Sequence, residues 1–146
     1  MNTDNMEILL VEDNPKDVEL TLHALRKQNL ANHVQVARDG QEALDYFFAS
    51  PLPGPPSRPR LVLLDLKLPK VSGLEVLRAL KADARTKTIP VVVLTSSVQE
   101  KDMVESYRLG VNSYLRKPVD FNEFMACTRT LGMYWLLMNN VPRGPS

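Results

Sequence analysis

The 146-residue sequence predicts an α/β fold, a (βα)5 doubly wound five-stranded parallel sheet with an extended C-terminal helix. Three observations predict it. Five short apolar runs recur: "EILLVED" (7–13), "HVQVAR" (33–38), "RLVLLDL" (60–66), "IPVVVLTS" (89–96) and "NSYLRK" (112–117). Amphipathic segments of helical length alternate with them, at about 14–29, 40–49, 73–83, 98–109 and 120–138, and that alternation builds βαβ units. The run Leu61–Leu64 is apolar at every position, as in a strand covered by helices on both faces.

The elements follow in order. The first strand runs into Glu12 and Asp13. Asn14 can cap the first helix with Pro15 as its first helical residue, and Asp17 and Glu19 suit the positive end of the helix dipole. Val18, Leu22 and Leu25 then form one stripe facing the sheet. After the second strand and helix comes "SPLPGPPSRP" (50–59), with five prolines and a glycine. It cannot be a helix or an interior strand, so it reads as a semi-rigid surface insertion; a polyproline docking site is the functional alternative. The third and fourth strands flank the third helix, and Gly110 stops the fourth helix. In the last helix Phe121, Phe124, Thr128, Leu131 and Trp135 share a stripe. Residues 1–139 thus form a single domain, and 140–146 are a short tail.

Composition excludes several classes. A net charge of +1 argues against a dedicated nucleic-acid surface. The N-terminus lacks the basic start and apolar core of a signal peptide, and no run reaches the roughly 20 apolar residues of a membrane span. Cys127, the single cysteine, has no disulfide partner in the chain and fits a reducing cytoplasm. It reads as a small apolar filler. His23 and His33 lie far from the strand ends and read as ordinary surface or boundary residues.

Chemistry on such a sheet sits outside the carboxyl ends of the strands. The first run ends in Glu12 and Asp13, the third in Asp65, the fourth in Thr95 and Ser96, and the fifth in Lys117. A carboxylate at the end of a buried strand must reach solvent, be neutralised or be paired. Crowded carboxylates repel, and an all-oxygen site suits Mg2+. A carboxylate can also attack phosphorus to give an aspartyl-phosphate, with the metal, Lys117 and Thr95 stabilising the transferring group. A nucleotide-phosphate loop is a poor fit, because "VEDNPKD" is acidic and lacks glycine. An aspartyl phosphatase of the haloacid dehalogenase type carries a second acid two residues after its nucleophile; here that residue is Lys67. No other nucleophile–base constellation points to an enzyme acting on an external substrate.

The set "LLVEDNPKD", "LVLLDLKLPKVSGLEVLRALK", "IPVVVLTS" and "GVNSYLRKPVD" resembles the receiver domain of two-component response regulators over nearly the whole chain. The resemblance implies a flavodoxin-like receiver fold, with Asp65 as phosphoacceptor and Glu12 and Asp13 as the acidic pair that helps bind Mg2+. It implies that Lys67 offers its backbone carbonyl to the metal, that Thr95 and Lys117 bind the phosphoryl group, and that Lys117–Pro118 is a cis peptide. Tyr114 stands at the switch aromatic; packing alone is its simpler role. Lys67 and Ser97 hold the positions that tune phosphoryl lifetime. The opening "ILLVEDNPKDVELTLHALRK", the proline-bearing insertion and the C-terminal extension are similar to single-domain regulators paired with bacterial and cyanobacterial phytochrome histidine kinases. A sensor kinase of that type is therefore the expected donor. The expected output is protein contact, or relay to a histidine-containing phosphotransfer protein. The alternative is a receiver-like module that signals by binding alone.

"MYWLLM" (133–138) is apolar at every position, so that stretch has more than one face to bury. The expectation is an isologous homodimer, with a turn folded back on its own domain as the alternative. Within the phytochrome-associated resemblance Tyr134, Trp135 and Asn139 serve that interface.

Overall fold

The computed structural model describes residues 8–26, 34–49, 59–95 and 105–130. Its strands are β1 (Ile8–Val11), β2 (Val34–Ala37), β3 (Leu61–Asp65), β4 (Val91–Thr95) and β5 (Ser113–Arg116). The helices are α1 (Pro15–Arg26), α2 (Gly40–Phe48), α3 (Gly73–Ala82), a helical turn α4 at 105–108, and α5 (Phe121–Thr130). All neighbouring strands pair in parallel, in the order β2-β1-β3-β4-β5. The expected (βα)5 sheet is therefore present. The chain steps outward from β1 to β2, then crosses to the other side of β1 to lay down β3, so the switch in strand order lies between β1 and β3. The carboxyl ends of those two strands flank the crevice where such folds place their chemistry.

Strand alternation sorts the sheet's side chains into two cores. Ile8, Leu10, Leu61, Leu63, Val92 and Leu94 meet α1 and α5 through Val18, Leu25, Phe124 and Met125. Leu9, Val11, Val62, Leu64, Val91 and Val93 meet α2 and α3 through Ala43, Phe47, Val76, Leu77 and Leu80. Burial on both faces explains why Ile8–Val11 and Leu61–Leu64 are apolar at every position and fully buried. β2 and β5, at the edges, are only partly covered. Cys127 is buried in the first core, and burial pushes its thiol pKa up, against a smaller opposing hydrogen bond with Ser113. That is the environment of a packing residue.

Helix ends carry local signals. Asn14 Oδ1 accepts from the backbone N–H of Lys16 and Asp17 at 2.8 and 3.1 Å, capping α1 as its sequence predicts. Asp39 caps α2 by accepting from Glu42 N–H at 2.7 Å. Ser72 and Glu75 form a reciprocal capping box at α3, with separations of 3.2 and 3.1 Å. Gly110 adopts φ +100°, the left-handed geometry of a helix stop. Replacing Ser72 by alanine is expected to destabilise the fold by about 1 kcal/mol, read as a lower urea midpoint at unchanged m.

Some boundaries differ from the sequence pattern. β1 stops at Val11, leaving Glu12 and Asp13 in the following loop, although Glu12 N–H still donates to Ala37 O at 2.9 Å. β4 begins at Val91, because Pro90 has no N–H to give the ladder; its carbonyl still accepts from Val62 at 3.0 Å. Much of the proline-rich insertion, His33, Ser97, the start of the fourth helix and the last helix beyond residue 130 lie outside the described residues. So do Tyr134, Trp135 and Asn139.

Candidate functional site

Strand register brings the predicted residues to one edge of the sheet. Val11 pairs with Leu64, so Glu12 and Asp65 each stand one step past a matched pair. Asp65 pairs with Leu94, and Thr95 pairs with Arg116, the residue before Lys117. Carboxylate oxygens of Glu12, Asp13 and Asp65 all lie within 4.8 Å of one another. Glu12 and Asp65 are 0% and 4% exposed, whereas Asp13 faces solvent.

Lys117 reaches into this group. Its ammonium is 3.0 and 3.2 Å from the two oxygens of Glu12, 3.3 Å from Asp65 Oδ2 and 2.8 Å from Asp17 Oδ2. The Lys117–Pro118 bond is cis, as expected. The Lys67 backbone N–H donates to Asp65 Oδ1 at 3.2 Å, while its side chain points to solvent. Gly73 opens α3 directly against this loop. A Cβ there would stand 2.3 Å from Asp65 O, and the glycine N–H donates to Leu66 O at 2.9 Å. Only glycine lets α3 start so close to the backbone that carries Asp65.

The electrostatics follow from burial and charge count. Three carboxylates (Glu12, Asp17, Asp65) contact one ammonium and a fourth, Asp13, lies beside Glu12 and Asp65, leaving three formal negative charges when all are ionised. Burial pushes the Glu12 pKa up to about 7; the Lys117 hydrogen bond opposes this and the Asp65 charge adds to it. Burial alone would lower the Lys117 pKa, but hydrogen bonds to Asp17 and Glu12 and the charges of Asp65 and Glu12 raise it above its ordinary value. The lysine is therefore a fixed cation across the neutral range. A hard, oxygen-seeking divalent cation fits this donor set, since it would relieve repulsion that one lysine leaves uncompensated.

Of the residues singled out by sequence, the structure gathers Glu12, Asp13, Asp65 and Lys117. Thr95 ends β4 beside them, with its side chain outside the described set. Tyr114 lies half-buried in β5 opposite Val93, stacked on Tyr107 with centroids 6.4 Å apart. Asp17 was legible only as a helix-end acid. Its place beside Lys117, 100 residues away, is what the sequence pattern missed. The available signal was its position in the first turn of a helix that starts at the acidic loop.

The family model described as response regulator receiver domain matches residues 8–129. The chain belongs to that family. This receiver domain is 54% identical to the bacteriophytochrome response regulator AtBRR, with a TM-score of 0.74, covering 90% of this chain and 95% of that one. It is 43% identical over 139 residues to the probable methanogenesis regulatory protein FilR2 of Methanothrix harundinacea, spanning 95% of this chain and 88% of that protein. It is also similar to the phosphorylated cyanobacterial phytochrome response regulator RcpA, at 39% identity and a TM-score of 0.74, covering 97% of this chain and 99% of that one. The flavodoxin-like receiver fold expected from the sequence is thereby established. Among the described residues no helix is long and apolar enough to cross a membrane.

Proposed function

We propose that this receiver domain is a cytoplasmic response regulator that accepts a phosphoryl group on Asp65 from a sensor histidine kinase, in an Mg2+-dependent reaction. The observation that carries the reading is the convergence of Glu12, Asp13 and Asp65 around a buried end of Lys117. The metal would be held by Glu12, Asp13, Asp65 and the Lys67 carbonyl, and when bound it supplies charge neutralisation at the transferring group.

Asp65 attacks phosphorus with one carboxylate oxygen. The bond from phosphorus to the donor imidazole nitrogen breaks, and its electron pair stays on the imidazole. Lys117 is placed to turn an N–H toward the new phosphoryl oxygens, and Thr95 to donate its hydroxyl. The added charge then biases a two-state equilibrium read out near Tyr114. On this reading the protein is a signalling phosphoacceptor with no external-substrate turnover.

The similarity to phytochrome response regulators supports a phytochrome-type kinase as donor. The apolar stretch 133–138 supports homodimerisation through Tyr134, Trp135 and Asn139, with protein partners or a histidine phosphotransfer protein as output. Nucleic acid and membrane have no part in this reading.

The test is mass spectrometry after incubation with Mg2+ and acetyl phosphate. The expected result is one added phosphoryl group; an unchanged mass would overturn the reading. Kinase pairing is tested by transfer rates from a phosphorylated bacteriophytochrome kinase and an unrelated histidine kinase, with the former expected to be faster. Sedimentation tests the dimer, since Trp135→Ala should shift it toward monomer.

A pH dependence also follows. Glu12 is protonated below about pH 7, and a bound metal needs its carboxylate. Mg2+ affinity, measured by calorimetric titration, should therefore rise about tenfold between pH 6 and pH 8 and level off above that. A flat profile would remove Glu12 from the ligand set.

A further inference from the structure

We propose that Asp17 is a positioning residue that restrains Lys117 in the unphosphorylated state by competing with the phosphoryl group for its ammonium. The inference rests on the phosphoacceptor reading above and adds a residue that neither the strand-end pattern nor the acidic cluster contains.

Lys117 has three N–H donors. Its shortest contact, 2.8 Å, is to Asp17 Oδ2 and its longest, 3.3 Å, is to Asp65 Oδ2. The resting lysine is thus held best by an acid on α1 and least well by the acid that is to be modified. Asp17 is not one of the three acids whose oxygens converge, so its charge acts on the lysine and not within the proposed metal ligand set. Its placement is fixed by the helix cap, because its own N–H donates to Asn14 Oδ1 at 3.1 Å.

Burial decides which contact yields. Glu12 is fully buried and binds the ammonium with both oxygens, so losing the lysine would strand a charge without water. The Asp17 side chain is 27% exposed, and water can replace the lysine there at little cost. A phosphoryl group on Asp65 brings nearly two negative charges and three acceptor oxygens to the position 3.3 Å away. The ammonium then keeps Glu12 as its hinge and moves its third N–H from Asp17 to the phosphoryl group. A contact made in the resting state and broken on reaction slows the reaction.

The experiment measures the rate of phosphorylation by acetyl phosphate at saturating Mg2+. Asp17→Asn should be faster than wild type by about threefold to fivefold, the range of a partly exposed ion pair. Glu19→Gln removes the same charge from the exposed side of the same helix and should change the rate by less than about twofold. Asp17→Glu should return the rate toward wild type. An Asp17→Asn rate equal to that of Glu19→Gln, or below wild type, overturns the proposal while leaving Asp65 as phosphoacceptor. Absence of phosphoryl uptake by the wild type overturns both.

Discussion

Asp65→Asn is expected to take up no phosphoryl group and, without metal at pH 8, to be more stable than the wild type by on the order of 1 kcal/mol. The amide has the same shape but is not a competent nucleophile, so the mass after acetyl phosphate treatment should stay unchanged. The stability gain comes from Glu12. Its pKa is raised first by burial and then, among smaller causes, by the charge and hydrogen bond of Asp65. An acid whose folded pKa lies above its unfolded value costs stability as pH rises from about 4.5 to about 7. Removing the Asp65 charge lowers the folded pKa of Glu12 and shrinks that cost, while Lys117 keeps Glu12 and Asp17 as partners. Urea denaturation should show the gain at pH 8, little of it at pH 5, and its loss when Mg2+ is added, because the wild type then gains more. A variant less stable than wild type at pH 8 without metal would refute the charge-crowding account.

Lys117→Met should destabilise the metal-free protein by about 3 kcal/mol at pH 8, as the removal of one partner from a buried ion pair does. The ammonium side chain is 8% exposed and joins acids from the end of β1, the start of α1 and the end of β3. Without it Glu12 has no compensating cation, and its pKa moves further above 7. The raised pKa of Lys117 keeps it charged from pH 5 to pH 8, so its own titration adds no slope there. The part of the deficit that follows Glu12 should be small near pH 5 and grow as pH rises above about 7. The double variant Lys117→Met, Asp65→Asn should recover part of the loss, since its remaining acids repel less. Equal deficits at both pH values would show that Lys117 acts through packing alone.

These expectations draw unequally on sequence and structure. The ends of β1 and β3 could be located from the sequence because a strand buried on both faces must be apolar until it leaves the sheet. Glu12 and Asp65 mark that exit. Lys117 could be placed at the end of β5 because the short run "NSYLRK" ends there, although that edge strand is only partly covered. Gly73 looked like an ordinary glycine, because its constraint is the backbone of Asp65 lying 2.3 Å from where a Cβ would be. The raised pKa of Glu12 was also hidden, since complete burial of a loop acid depends on tertiary packing around it.

By itself the sequence determined the (βα)5 order, the helix cap at Asn14, and the strand ends that carry acids and a lysine. These follow from periodicity and from backbone donors and acceptors satisfied within a few residues. Only the tertiary structure decided that Asp17 holds Lys117 and that the lysine binds Glu12 more closely than Asp65. Sequence pattern says which face of an element is buried. Which side chains meet at 3 Å depends on the register between strands and on how a helix is docked across them, and those are set by packing of the whole core.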